Sequence, residues 1–329
     1  MNLSDPRQTR LGVVGLGNFG ILHAETIERL ADCQLAVVVD RDEAKLASAK
    51  DRWPGTQTHT DLGQAIESWG TSSPHAVDGW IVATTSNSHI AVARQILAAG
   101  GSVLIEKPLA ESVADAESIS EQVRPDSSNV MLGHIVLFGS EFRSLKNESK
   151  HRSAIQFIDA VRHRPRSTMD AFPGESPFHL TMVHDLYCVQ TLMDRAEPTE
   201  ITAQVHHDSQ GRIDLAIAHM RWQNGAIASL TASFLTPPGM PADGFDRIEV
   251  FGQDWTARVS PNPRPLELWD DAARHPMTLE IDEASATGML AEELRCFCRV
   301  LRKESEVPIG ATYADGLQIQ RWLKRLSGT

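Results

Sequence analysis

Two regimes of apolar patterning divide the chain. From Arg10 to about Leu132, short runs rich in β-branched residues recur at Leu11 to Val14, Leu35 to Val39, Trp80 to Ala83, Ser102 to Ile105 and Asn129 to Gly133. Between them the period is helical, predicting helices at Phe19 to Leu30, Asp42 to Arg52, Asp61 to Trp69, Ser88 to Ala99 and Ser112 to Val123. Gly100-Gly101 ends the fourth, as glycine past a helix terminus does, and Ser112 with Asp115 opens the fifth in a near capping-box arrangement. Continuous apolar strands alternating with helices predict a doubly wound parallel sheet, because its strands are covered on both faces.

Beyond a linking helix around Phe142 to Glu148 the period falls to two. Ala154 to Val161 alternates strictly, and longer strands follow at Glu200 to His206, Arg212 to Trp222 and Ala226 to Leu235. The last two meet across Asn224-Gly225, the preferred dipeptide of a type I′ hairpin. Shorter strands are predicted at Arg247 to Phe251, Thr256 to Val259, Leu266 to Trp269 and Met277 to Ile281, with an exposed Pro- and Gly-rich loop at Pro237 to Gly244. One helix, Pro177 to Met193, interrupts the strands, and two more, Leu290 to Lys303 and Tyr313 to Leu326, end the chain. The pattern therefore predicts an α/β domain over residues 1–135. An α+β domain follows over 136–329, a mostly antiparallel sheet flanked by helices. Ala228, Leu230, Ala232 and Phe234 on one strand, with Ile213, Leu215 and Ile217 on its partner, predict an apolar sheet face that has to pack against something.

Composition narrows the function classes. The 329 residues carry a formal net charge of −12 with no local cluster of Lys and Arg large enough to offset it, which argues against a nucleic-acid partner. Met1 to Arg10 is polar, and no stretch reaches the roughly 20 apolar residues of a membrane span, so the expectation is a cytoplasmic protein with no membrane partner. Cys33, Cys188, Cys296 and Cys298 are too few and irregular for a disulfide framework and are expected as reduced thiols. The pair Cys296 and Cys298 points two ways from one helix, so partial burial is expected and no metal site.

Candidate chemistry begins at Gly15-Leu16-Gly17-Asn18-Phe19-Gly20, which leaves an apolar strand and opens a helix. A pyrophosphate needs backbone N–H groups at a helix N-terminus with no side chains in the way; Gly15 suits the turn, Gly17 the close approach and Gly20 the packing of helix on sheet. Asp40 closes the next apolar run, about 20 positions on, where a carboxylate takes the ribose hydroxyls and repels a 2′-phosphate. NAD is expected, with NADP kept open by Arg41, which either accommodates a phosphate or stays a solvated loop charge.

Two further segments leave strand ends, where ligands of such sheets lie. Trp80 to Ala83 runs into Thr84-Thr85-Ser86-Asn87-Ser88-His89, and Ser102 to Ile105 into Glu106-Lys107-Pro108. Lys107 either hydrogen-bonds a reacting oxygen or is a surface lysine paired with Glu106. The helix from Pro177 carries His179, His184 and Asp185; His184 reads either as a general base or as a buried histidine satisfied by backbone. His134 follows the last parallel strand and either reaches the same cleft or is a strand-end histidine bonded to backbone. Arg162, His163, Arg164 and Arg166 form a basic cluster, read as a solvated face or, less simply, as contacts to an acidic substrate.

Taken together, these motifs resemble the glucose-fructose oxidoreductase / inositol dehydrogenase / rhizopine catabolism (Gfo/Idh/MocA) family over nearly the whole chain. The resemblance rests on the glycine loop, on Asp78 to Thr84 through His89, on Glu106-Lys107-Pro108-Leu109-Ala110 and on Val183-His184-Asp185. It implies a Rossmann domain, a C-terminal domain whose sheet is open, and hydride exchange between a nicotinamide and a hydroxyl or keto carbon of a sugar, sugar acid or cyclitol. By the same resemblance Lys107 and His184 are catalytic. Gly15, Gly17, Asn18, Phe19, Gly20, Asp40, Arg41, Thr84, Thr85, Asn87, His89, Glu106 and Lys107 meet the cofactor. Lys107, His134, His179, His184 and Asp185 meet a polyhydroxylated substrate. A homodimer or homotetramer through the C-terminal sheet is also implied. One departure stands out: Leu180 occupies the place of the aspartate expected four residues before the histidine, and Tyr187 that of a second carboxylate. His179 or Asp185 is then the candidate substitute. An NAD-dependent glycosidase and a catalytically silent nucleotide sensor remain the alternatives.

Overall fold

The computed structural model describes residues 8–73, 76–240, 244–262, 268–269, 273–274 and 286–328. They form two compact units: one holds the chain up to Phe138 and a later stretch ending at Gln320, the other begins at Gly139 and takes the last residues from Arg321. A single boundary at residue 135 therefore does not describe the division, because the helix Gly288–Leu301 returns to the first unit.

In the first unit the order is β1 (Thr9–Val14), α1 (Asn18–Glu28), β2 (Cys33–Val39), α2 (Glu43–Arg52), β3 (Gln57–His59), α3 (Leu62–Trp69), β4 (Gly79–Val82), α4 (His89–Ala98), β5 (Val103–Glu106), α5 (Val113–Glu117) and β6 (Val130–Gly133). All six strands are parallel in the order β3-β2-β1-β4-β5-β6, that of a dinucleotide-binding Rossmann fold with its switch point between β1 and β4. Leu11, Val13, Val38, Ile81, Val82, Leu104 and Ile105 are buried in that sheet, which explains why its strands read as unbroken apolar runs. Asp42, Asp61 and Ser112 cap α2, α3 and α5 with side-chain oxygens. The helix predicted to run to Val123 stops at Glu117, where the Ser118 hydroxyl donates back to the Asp115 carbonyl at 2.6 Å, and a 3₁₀ turn follows at Ser120–Gln122. Strand β3, three polar or half-buried residues, carries no apolar signal and was not predictable from periodicity.

The second unit holds α6 (Ser140–Ser149), β7 (Ile155–Pro165), α7 (Thr168–Ala171), a π-helical turn (Phe178–Met182) that continues into α8 (Val183–Leu192), then β8 (Glu200–His207), β9 (Ile213–Arg221), β10 (Ile227–Thr236), β11 (Phe245–Gly252) and β12 (Thr256–Asn262). Its sheet runs β12-β11-β7-β10-β9-β8, antiparallel except between β7 and β10. The register corrects the predicted open face. Leu230 lies opposite Ala218 and Thr231 opposite Ile217, so Ala228, Leu230, Ala232 and Phe234 belong to the buried face. Ile213, Leu215 and Ile217 stand on the other, half-exposed face with Phe157, Val161 and Phe251. The β9–β10 hairpin is also not type I′, which requires positive φ at both central residues. Only Gly225 (φ +88°) is positive there, and its N–H donates to the Trp222 carbonyl at 2.9 Å; this is a type I turn followed by a left-handed glycine, which absorbs the bulge.

Beyond these, Leu268–Trp269 (β13) pairs with Ala273–Arg274 (β14), while the strand predicted at Met277 to Ile281 lies outside the described residues, as do 266–267 and 241–243 of the predicted Pro237 to Gly244 loop. Helices α9 (Gly288–Leu301) and α10 (Tyr313–Ser327) complete the chain. All four cysteines are free thiols and all are buried, Cys296 and Cys298 more deeply than expected because both lie within the packed part of α9. Among the described residues no helix is long and apolar enough to cross a membrane.

Candidate active site

The candidate residues fall on both units, and each set is built here within its own unit. At the end of β1 the chain turns through Gly15 (φ +94°), where a Cβ would lie 2.7 Å from the Ala83 carbonyl oxygen. At Gly20 a Cβ would overlap the Gly15 carbonyl oxygen, so only glycine lets α1 lie on the turn. Gly17 is the opposite case, facing open space, and α1 starts from it with no side chain capping the first N–H groups of Asn18 and Phe19. An uncapped helix N-terminus behind an open glycine fits a pyrophosphate.

Asp40 stands beside this loop at the end of β2. Its carboxylate accepts from the Leu16 N–H at 2.6 Å and from the Asp42 N–H at 2.9 Å, with Lys45 Nζ 3.5 Å away. These bonds fix the carboxylate and leave lone pairs for ribose hydroxyls. Arg41 beside it is exposed.

After β4, Thr84, Thr85, Asn87 and Ser88 form a hydroxyl-rich turn: Thr85 Oγ1 donates to Asn87 Oδ1 at 2.7 Å and Ser88 Oγ to Thr84 Oγ1 at 2.8 Å. His89 is buried and its ring nitrogens lie 2.8 Å from the Pro108 carbonyl and 3.1 Å from the Thr84 carbonyl. Burial pushes its pKa down, and the neutral ring, with a single N–H, donates to one of these two carbonyls. Lys107 follows the end of β5 and is joined to Pro108 by a cis peptide bond. Glu106 turns its side chain inward to His23 Nε2 at 2.7 Å, and accepts the Lys107 N–H at 3.2 Å. His134, which follows β6, is wholly buried.

In the second unit the basic cluster is not a solvated face. Arg162 is buried and forks onto Asp185 at 2.9 Å (Nη2 to Oδ1) and Asp246 at 2.8 Å (Nη1 to Oδ2), while Arg164 binds Asp246 at 2.6 Å. Burial opposes the Arg162 charge, but the two carboxylates outweigh it and hold the guanidinium firmly protonated. Asp185 thus ties α8 onto β7 through Arg162. His163 bonds Ser233 Oγ at 2.7 Å, and Arg166 reaches Asp214 at 3.5 Å.

His184, half-buried on α8, follows the π-helical turn that contains His179 and Leu180. A π turn has i→i+5 bonding and often marks a functional site; the wider turn brings the residue five before His184, His179, toward its side of the helix along with Leu180. His179 Nδ1 lies 3.1 Å from Ser176 Oγ, and burial lowers its pKa, so it is a neutral ring. Sequence reasoning missed His23 and Glu293, both buried with no solvent exposure. Glu293 had a signal: it interrupts the apolar face Leu290, Ala291, Leu294, Phe297 of α9, where an acid has no place without a reason.

With that geometry in place, known proteins can be set beside it. A model described as the oxidoreductase family, NAD-binding Rossmann fold, matches residues 9–134, and one described as the GFO/IDH/MocA C-terminal domain matches residues 131–258. The chain is 26% identical over 254 residues to a myo-inositol 2-dehydrogenase of Thermotoga maritima, covering 74% of this chain and 72% of that protein. It is 26% identical to a UDP-N-acetylglucosamine 3-dehydrogenase of Acidithiobacillus ferrooxidans, covering 76% and 73%. A scyllo-inositol dehydrogenase of Lactobacillus casei, solved with NAD(H) and scyllo-inositol, shares the fold with a TM-score of 0.79 at 19% identity, over 98% of this chain and 96% of that one. The chain belongs to the Gfo/Idh/MocA family of oxidoreductases. Its first domain is the NAD-binding Rossmann fold of that oxidoreductase family.

Proposed function

We propose that the chain oxidises a secondary hydroxyl of a cyclitol or sugar with NAD, with Lys107 and His184 as its catalytic residues. The observation that carries this reading is the open Gly17 at the uncapped start of α1, next to a fixed Asp40, in one sheet with the strand end that presents Lys107. When bound, NAD supplies the acceptor for the hydride that leaves the hydroxyl-bearing carbon. Lys107 donates a hydrogen bond to the oxygen as alkoxide character develops. His184 accepts the hydroxyl proton, and the carbon is left as a ketone. His179, one wide turn earlier, takes the orienting role that an aspartate at Leu180 would have; Thr84, Thr85 and Asn87 shape the wall beside the cofactor.

The Asp40 carboxylate supports NAD over NADP, since it repels a 2′-phosphate more than exposed Arg41 attracts one. Titrating cofactor-stripped protein with NADH and NADPH by nicotinamide fluorescence is expected to give binding at least about tenfold tighter for NADH. Formation of NADH on adding myo-inositol, scyllo-inositol or a hexose panel then tests the substrate class. A folded sample that binds neither nucleotide refutes the whole reading.

The half-exposed face with Phe157, Ile213, Leu215 and Ile217 supports self-association of the C-terminal sheet, and work in the cytoplasm agrees with four reduced thiols. Sedimentation is expected to give a dimer or tetramer, and a monomer at micromolar concentration rules out that use of the face.

A further inference from the structure

Behind Lys107, inside the first unit, lies a sealed group of three ionisable side chains. His23 from α1, Glu106 from the end of β5 and Glu293 from α9 are all buried, and one ligand-type atom from each lies within 4.8 Å of the other two. His23 Nε2 and Glu106 Oε1 are paired at 2.7 Å. Neither oxygen of Glu293 closes a hydrogen bond of good geometry; the backbone N–H of His134 is the donor that faces it. On its own helix the nearest charges, Glu292 and Arg295, bind each other at 2.7 Å and are part-exposed. The group also touches the cofactor loop, because Phe19 packs edge-on against His23 with centroids 5.4 Å apart.

Two carboxylates this close, both out of water, do not both ionise: each loses hydration and each repels the other. We propose that Glu293 is a neutral carboxylic acid in the folded protein, and that its neutrality lets Glu106 stay turned inward beside Lys107, making Glu293 a positioning residue for hydride transfer. An ionised Glu293 would drive the Glu106 carboxylate away, and the Lys107 N–H and His23 would lose their acceptor. Burial, and then the Glu106 charge, push the Glu293 pKa well above the ordinary carboxylate value, in the same direction. The positioning role rests on the reading of Lys107 given above; the held proton does not.

Stability carries the sign of such a group. The unfolded state releases this proton near the ordinary value of 4.5 and the folded state much later, so the folded protein is favoured below that value and loses stability as pH rises toward the folded pKa. Glu293→Gln keeps the shape of the neutral acid and has no proton to lose. Its melting temperature relative to the parent is expected to rise by about 2–4 °C or more between about pH 5 and pH 8. An infrared difference spectrum near pH 8 is expected to show the carbonyl band of a protonated carboxyl in the parent and not in Glu293→Gln. A flat melting difference with no such band overturns the proposal. So does a rise in melting temperature with Mn²⁺ or Zn²⁺ seen in the parent and abolished in Glu293→Gln, since a cation would then balance the two carboxylates.

For the positioning role, Glu293→Ala is expected to lower kcat about tenfold on whichever polyol the parent oxidises, with little change in KM, and Glu293→Gln to recover most of it. Equal losses in both variants defeat that role. If the parent turns over no polyol, the dehydrogenase reading and with it the positioning role fall, while the infrared and melting results still decide the proton.

Discussion

Replacing Lys107 by methionine is expected to lower kcat by about 10² to 10³, the usual loss on deleting one donor to a developing oxyanion, while NADH still binds. Methionine keeps the length and the apolar stem of lysine and removes only the ammonium, so the fold of β5 and the Glu106 contacts should persist. Those contacts use the Glu106 carboxylate and the Lys107 backbone N–H, neither of which the substitution touches. Steady-state kinetics with myo-inositol as the first substrate, set beside an NADH fluorescence titration, separates the two effects. A kcat within about twofold of the parent at unchanged KM would leave Lys107 as a surface lysine and move the hydrogen-bonding role elsewhere.

Arg162→Met is expected to cost the second unit about 3–5 kcal/mol, because it strands Asp185, and in part Asp246, without their cation. That corresponds to a drop in melting temperature on the order of 10 °C. The size follows from burial: a surface pair broken in the same way costs about 0–1 kcal/mol. Activity should fall as well, since Arg162 holds Asp185 and so the start of α8, on which His184 is the preceding residue. Adding Asp185→Leu to Arg162→Met is expected to restore part of the stability by removing the stranded carboxylate, a coupling that a double-mutant cycle measures. Strict additivity of the two losses would mean that the pair is not the strut described here.

The glycine turn and the carboxylate closing β2 were legible in the sequence, and the reason is local. Gly15, Gly17, Gly20 and Asp40 act through backbone conformation and strand termini, which a short window encodes, and the unbroken apolar strands of the first unit announce burial on both faces. For Lys107 and His184 chain position gives no distance, so the sequence left two readings of each open. The Arg162 cluster was misread because an arginine's partners, Asp185 and Asp246, lie 23 and 84 residues further on. The open sheet face was assigned to the wrong strand side for β10, since alternation fixes which residues share a face of one strand and leaves the register with its neighbour undetermined. The bulged hairpin at Gly225 and the π turn before His184 have the same origin: each inserts a residue's worth of rotation that a strict period does not carry.

The sequence by itself determined the two periodicities, the parallel sheet, the cofactor loop and the family, all of them set by neighbours along the chain. Only the tertiary structure decided that His23, Glu106 and Glu293 share one sealed space, that Arg162 is a buried strut and that His134 is buried. Burial and charge pairing are properties of residues brought together from distant parts of the chain, and they come into being when the strands and helices close on one another.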